Sequence, residues 1–159
     1  MLNPDTTTEH TRQQHASACC NPIFDWANRQ DFEFASRGLI HRPKDPVIAD
    51  ADGRTVWEHH GYEAFLKGEA PDTVHPSLWR HALLNNFRGL FKVCDGVYQV
   101  RGESLANVTF IESDNGYVII DPLTTVEVAA YALKLLFDHV GEKPIVAMCY
   151  SHTHSDHFG

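Results

Sequence analysis

The sequence predicts an α/β (α+β) chain, and three observations carry that prediction. Two consecutive strand-turn-strand signals occupy residues 90–120. A strand-helix-strand pattern follows over residues 117–150. The second strand of that unit runs directly into SHTHSDHFG at residues 151–159, where histidines and an aspartate crowd together.

Taken in order, residues 1–20 are dominated by Thr, Gln, His, Ser and charges. Such a mixture buries too little apolar surface to offset its ordering entropy, so a mobile tail is expected, with His10 and His15 solvated. Residues 21–36 set Phe24, Trp26, Phe32 and Phe34 among polar residues, which suggests a segment lying across a core and a short helix beginning near Asp25. Pro43, Pro46 and the Asp52-Gly53 pair predict extended chain, a turn and another short extended piece. His59 and His60 are neighbours, which in a strand point to opposite sides, so a surface turn is expected there and not a shared metal.

Pro76-Ser77 opens a helix over residues 76–87 whose expected inner face is Leu78, Trp79, His81, Ala82, Leu83 and Phe87. The period then changes. Leu90, Phe91 and Val93, then Asp95-Gly96, then Val97, Tyr98 and Val100 read as a tight hairpin. Val108, Phe110 and Ile111 repeat the plan around Asp114-Asn115-Gly116 and the run Tyr117 to Ile120. After Asp121-Pro122, Thr124 and Glu127 have capping-box spacing. The helix they begin should run to about Val140, bury Val128, Tyr131, Ala132, Leu135, Leu136 and Val140, and stop at Gly141. IVAMCY after Pro144 should be a central strand buried on both faces. Strand, helix and strand in this order require a parallel pair with a right-handed crossover.

Composition bounds the function. With 43% hydrophobic and 11% aromatic residues the chain can build a core. Thirteen basic against twenty-one acidic residues, a net charge of -8 and no Lys/Arg stripe argue against nucleic acid as a partner. No apolar stretch approaches the roughly 18 residues of a membrane span, and no basic start with an apolar run opens the chain, so a cytoplasmic protein is the expectation. Cys19, Cys20, Cys94 and Cys149 are too few and too irregular for a disulfide framework. Free thiols are expected, with Cys94 and Cys149 as small packing residues.

The histidine cluster carries the chemistry. In extended chain His152 and His154 face the same way and can share one metal, while Asp156 and His157, beyond a bend, can turn toward a second. Imidazole and carboxylate donors suit zinc, and a set without thiolate leaves iron or manganese open. Two metals roughly 3.5–4 Å apart can activate a bridging water, with metal-bound hydroxide as the nucleophile. Ligands in open α/β sheets gather beyond the carboxyl ends of strands, where this cluster lies. Asp121, after the preceding strand, reads equally as an outer partner that orients a ligand or as a cap for the following helix. Asn107 and Thr109 read as facing the same cleft or as strand-edge hydrogen-bonding residues.

The order hairpin, hairpin, IIDP, helix, strand and SHTHSDHFG resembles the metallo-β-lactamase superfamily. More narrowly, TVHPSLWRHALLNNFRGLFKVCDGVYQVRG, LANVTFIESDNGYVIIDPLTT and YSHTHSDHFG are similar to alkyl sulfatases that hydrolyse dodecyl sulfate and related esters, over about residues 31–159. The HxHxDH element marks the superfamily; HPSLWR, GLFKV, YQVRG and IIDPLT carry the narrower likeness. The resemblance implies the first half of an αββα sandwich that stops after its metal-binding loop. A family-specific extension at residues 21–88 would pack on the core, and residues 89–159 would begin an incomplete catalytic domain. It implies two Zn2+ per complete site, His152 and His154 on one and Asp156 and His157 on the other, with Asp156 also the expected catalytic residue. The implied substrate is a small amphipathic sulfate ester, released as sulfate and alcohol, and the implied parent is a homodimer. Two donors per metal fall short of a catalytic set, so these residues alone are expected to be inactive. The competing readings are another hydrolase of the superfamily, acting on a thioester, lactone or lactam, and a non-catalytic remnant.

Overall fold

A computed structural model describes residues 7–44 and 46–159. Its centre is the pair of hairpins. β4 (Gly89–Cys94) pairs antiparallel with β5 (Val97–Arg101), and β6 (Val108–Ser113) with β7 (Gly116–Ile120), each around the turn its Gly predicts. β1 (Leu39–His41) joins β4 on one side and β8 (Ile145–Cys149) lies parallel to β7 on the other, giving the strand order β1-β4-β5-β6-β7-β8. Gly89 makes the first of these contacts possible: at φ 124° it sits where a Cβ would lie 2.2 Å from the His41 carbonyl oxygen. β2 (Val47–Ala49) and β3 (Thr55–Glu58) form a separate hairpin around Asp50–Arg54, as the Asp52-Gly53 pair predicts.

α5 (Val126–His139) covers one face of the large sheet. Side chains alternate across a strand, so Leu90, Val100, Val108, Phe110, Tyr117 and Ile119 point to one side, where they meet Val128, Ala132, Leu135 and Leu136 of the helix. The helix is capped one residue later than its capping-box spacing indicates: Thr125 accepts from the Val128 N–H, while Thr124 shares a 2.6 Å hydrogen bond with Ser104. β8 corrects a second expectation. It is parallel as predicted, but every one of its residues is exposed, because it is the edge of the sheet and no element of the described chain lies over it. Cys149 is exposed for that reason and Cys94 because its strand end is open, so neither packs in a core; all four cysteines are free.

Within the helical region three expectations change. Residues 9–20, expected to be a mobile tail, form α1 (Glu9–Cys20), with residues 1–6 outside the described chain. Thr8 caps it, Arg12 pairs with Asp72 at 2.8 Å, and the Trp26 indole donates to the Ala18 carbonyl, long-range anchors that composition does not reveal. The next helix, α2 (Gln30–Ser36), starts five residues after Asp25. α4 (Pro76–Asn85) appears as predicted and buries Trp79, but Leu78 and His81 face solvent.

α3 (His60–Phe65) follows β3 directly, and His59 before it is 6% exposed and not a surface residue. Its Nε2 accepts the Trp57 indole N–H at 3.0 Å and lies 3.2 Å from Glu103 Oε2. That nitrogen is taken by Trp57, so it has no proton for Glu103, and Oε2 has no hydrogen-bond partner although it stands at ion-pair distance. Glu103 Oε1 instead accepts from Arg88, which also reaches the Pro43 carbonyl and Glu63. Arg42 joins Glu63 at 2.7 Å and, with Arg88, holds that carboxyl below its usual range against the opposing effect of burial. The buried charges thus tie α3, the β5–β6 loop and the start of β4 together.

Tyr131 on α5 gives this core a pH signature. Burial, with the nearby Glu103 carboxylate adding to it, pushes its hydroxyl up to about 12. The unfolded chain loses the tyrosine proton at an ordinary pH and the native chain keeps it, so stability falls as pH rises from about 10 to about 12. Urea unfolding across that window should show a shallower fall in Tyr131→Phe than in the native chain; equal slopes would contradict the burial effect.

Candidate metal centre

β7 and β8 end side by side, and the donors lie just past their carboxyl ends. The backbone there is unusual. Asp121 has φ 54° and Leu123 φ 70°. An aspartate tolerates the left-handed region; a buried leucine rarely does, at a cost of about 1–3 kcal/mol that the surrounding contacts must hold in place. Those contacts are the Asp121 N–H to the Cys149 carbonyl at 3.0 Å and the Gly159 N–H to the Leu123 carbonyl at 2.9 Å. Gly159 fits there because a Cβ would lie 2.3 Å from the Pro122 oxygen and 2.6 Å from that of Thr125.

Asp121 is the hub. Its Oδ1 accepts the Ser151 N–H and its Oδ2 the Ser151 hydroxyl, both at 2.6 Å. Since Ser151 gives its one hydroxyl proton to Asp121, the 2.8 Å contact between Ser151 Oγ and His152 Nδ1 has the imidazole as donor. His152 Nε2 is then left with its lone pair free, the state a metal ligand requires. His157 Nδ1 lies 3.2 Å from Asp121 Oδ2, yet it is buried without an aligned hydrogen bond, so this contact is electrostatic. Burial acts to raise the Asp121 pKa, but the Ser151 hydrogen bonds and His157 outweigh it and hold the carboxyl below its ordinary value.

Ligand-capable atoms of Asp121, His152 and His157 lie within 4.8 Å of one another. The rings of His152 and His154 are 4.5 Å apart and those of His152 and His157 4.2 Å, and His157 Nε2 stands 3.4 Å from Asp156 Oδ2. The structure therefore gathers all four motif donors and Asp121 at one strand end. Its tightest trio includes Asp121 and crosses the division of the motif into His152 with His154 and Asp156 with His157. Asp121 does not cap α5, since Thr125 does. Thr109 accepts from Gln99 across the sheet, the strand hydrogen-bonding alternative, and Asn107 lines a cavity beside Arg101. Ser151 had no assigned role in the motif; a hydroxyl directly before the first histidine at a strand end is the one signal that pointed to it.

The donors fit a divalent cation: the Asp121 carboxylate and the His152 and His157 imidazoles converge, with His154 and Asp156 beside them, the buried His157 Nδ1 lacks a hydrogen-bond partner, and the Ser151 contact leaves His152 Nε2 as the free nitrogen. If Asp121 orients these ligands, Asp121→Asn should leave the fold intact and weaken zinc affinity by about 10–100-fold. A competition titration with a chelating dye measures this, and unchanged affinity would remove Asp121 from the site.

Residues 101–159 match the Metallo-beta-lactamase superfamily. Among curated proteins, the chain is 52% identical over 134 residues to an (R)-specific secondary-alkylsulfatase of Pseudomonas sp, covering 84% of this chain and 20% of that protein. It is 47% identical to the alkyl/aryl-sulfatase BDS1 of Saccharomyces cerevisiae, over 84% of this chain and 21% of the relative. It is 42% identical to a linear primary-alkylsulfatase of Pseudomonas sp, over 83% and 20%. The solved structure of the stereoselective inverting sec-alkylsulfatase Pisa1 from Pseudomonas sp. superimposes with a TM-score of 0.88 at 48% identity, covering 100% of this chain and 25% of that one. The chain thus spans about a fifth of the length of the curated relatives it matches.

Proposed function

We propose that this chain, which matches the Metallo-beta-lactamase superfamily over residues 101–159 and is similar to an alkylsulfatase over 84% of its length, supplies the first part of the metal site of an enzyme that hydrolyses alkyl sulfate esters. The observation that supports this most is the convergence of His152, His157 and Asp121 within 4.8 Å at the joined ends of β7 and β8. His152, His154, Asp156 and His157 would hold two divalent cations, zinc by the chemistry of the donors. When bound, such a pair supplies Lewis acidity toward the ester oxygens and lowers the pKa of a water.

The chain's own residues do the positioning. Asp121 fixes Ser151 through its N–H and hydroxyl, Ser151 fixes the tautomer of His152, and the Gly159 contact to Leu123 closes the loop against β7. Asp156, half-buried and 3.4 Å from His157 Nε2, would serve as a ligand and as the catalytic carboxylate. Four motif donors give two to each cation, fewer than the three protein ligands of a catalytic zinc site, so the 159 residues alone should turn over substrate poorly. Sulfate release from decyl sulfate by the full-length gene product tests the reading. Cleavage of a thioester, lactone or lactam with decyl sulfate left intact would assign a different hydrolase of the superfamily.

A further inference from the structure

A cavity of about 530 Å³ lies between α3, α4 and the β5–β6 loop, apart from the metal ligands and within the roughly 300–1,000 Å³ typical of small-molecule sites. Its walls are mainly apolar and aromatic, with Trp57, Tyr62, Phe65, Phe87 and Leu105 among them. Tyr62, Phe65 and Leu105, at its opening, are 52%, 57% and 73% exposed. Arg101 is the cation of this wall. Its guanidinium packs 4.4 Å over the Phe91 ring and donates to Gln99, and no carboxylate of the described residues pairs with it. Burial disfavours its charge with nothing acidic to offset the loss, so an anion is the ligand the position lacks.

The cavity also borders the metal-bearing end of the sheet. Val100 pairs with Val108, Thr109 with Ile120 and Ile120 with Cys149, so Arg101, Asn107, Asp121 and the loop after Cys149 close the same end. Adjacent strands lie about 4.8 Å apart, which puts the Arg101 strand roughly 10 Å from that of Asp121. Ser104 on the cavity wall is hydrogen-bonded at 2.6 Å to Thr124, three residues after Asp121.

We propose that this cavity binds a linear anionic amphiphile, its hydrocarbon chain along Trp57, Phe65 and Leu105 and its head group at Arg101. The inference rests on the alkyl sulfate reading for the choice of a linear chain, and on the cavity itself for the pairing of apolar wall and unpaired cation. A guanidinium forks to two oxygens of a sulfate or carboxylate, so both heads suit it.

The test is calorimetric titration of metal-depleted protein with decyl sulfate, decanoate and uncharged decyl maltoside, all below micelle formation. Both anions should saturate one site and bind more tightly than the maltoside. Arg101→Gln should weaken both anions about tenfold, the loss of one charge-assisted contact, and Arg101→Lys by less. Leu105→Asp, at a solvent-exposed position that the fold tolerates, should weaken them as well by placing a like charge at the mouth. Equal binding of maltoside and anions, or native affinity in both Arg101→Gln and Leu105→Asp, would overturn the proposal. Metal depletion separates this from the functional reading. Anion binding by a protein that never releases sulfate would keep the cavity and remove the sulfatase, and sulfate release unaffected by either variant would do the reverse.

Discussion

Replacing His152 and His154 together by alanine is expected to remove tight zinc binding from the chain. Both imidazoles leave the strand end at once, and the remaining carboxylates and His157 offer a set with too few nitrogen donors for a stable zinc site. The loss should be at least 100-fold in affinity, larger than the change expected from Asp121→Asn, because ligands are removed and not merely released from their orientation. His154 is exposed and His152 is held through Ser151, so the fold should survive the double substitution. Equilibrium titration against a chelating dye, with circular dichroism of the same samples, separates a lost site from a lost fold. Native affinity in the double variant would mean that the metal, if any, sits elsewhere.

The second large effect is expected at Glu103→Ala. Glu103 is 1% exposed and Arg88 2%, and removing one member of a buried pair leaves the other without part of its compensation. Such losses run to about 3–5 kcal/mol. Arg88 keeps Glu63 and the Pro43 carbonyl, which argues for the lower end of that range. The exposed pair of Arg12 and Asp72 is the contrast: Arg12→Ala should cost about 1 kcal/mol or less, since both side chains are half-solvated. Urea midpoints at constant slope compare the two. Equal shifts would show that burial adds nothing to the Arg88–Glu103 pair.

Sequence pattern was a good guide wherever a local rule decided the outcome. Asp95-Gly96 and Asn115-Gly116 set two hairpins because only a few residues accept the backbone of a tight turn, and the 3.6-residue spacing of Val128, Ala132, Leu135 and Leu136 set the buried stripe of α5. The parallel pairing of β8 followed from the order of elements. Its exposure did not, because an apolar run records what a strand can bury and not whether anything lies over it. His59 was misread for a related reason: its neighbours in space, Trp57 and Glu103, include one 44 residues away, and no short window contains that contact. The helix at Glu9–Cys20 depends on Asp72 and Trp26 in the same way.

At the metal centre the motif itself was legible and its support was half so. HxHxDH names four donors by type and spacing, whereas the choice between cap and outer partner for Asp121 depends on where α5 starts and on Ser151, 30 residues away, which no short window contains. Once Thr125 caps α5, Asp121 is free to turn its carboxylate to Ser151 and His157. The left-handed backbone at Leu123 has no sequence signature, because a leucine there is chosen by packing against the spatial neighbours that hold it.

The proposed role of this strand end is sulfate ester hydrolysis through bound divalent metal. Sulfate release from decyl sulfate by the full-length gene product, measured after chelation and again after zinc is restored, tests it most directly. Release should be lost on chelation, recovered with zinc, and absent in the His152→Ala, His154→Ala variant under all conditions. Release that persists unchanged through chelation and in that variant would contradict it.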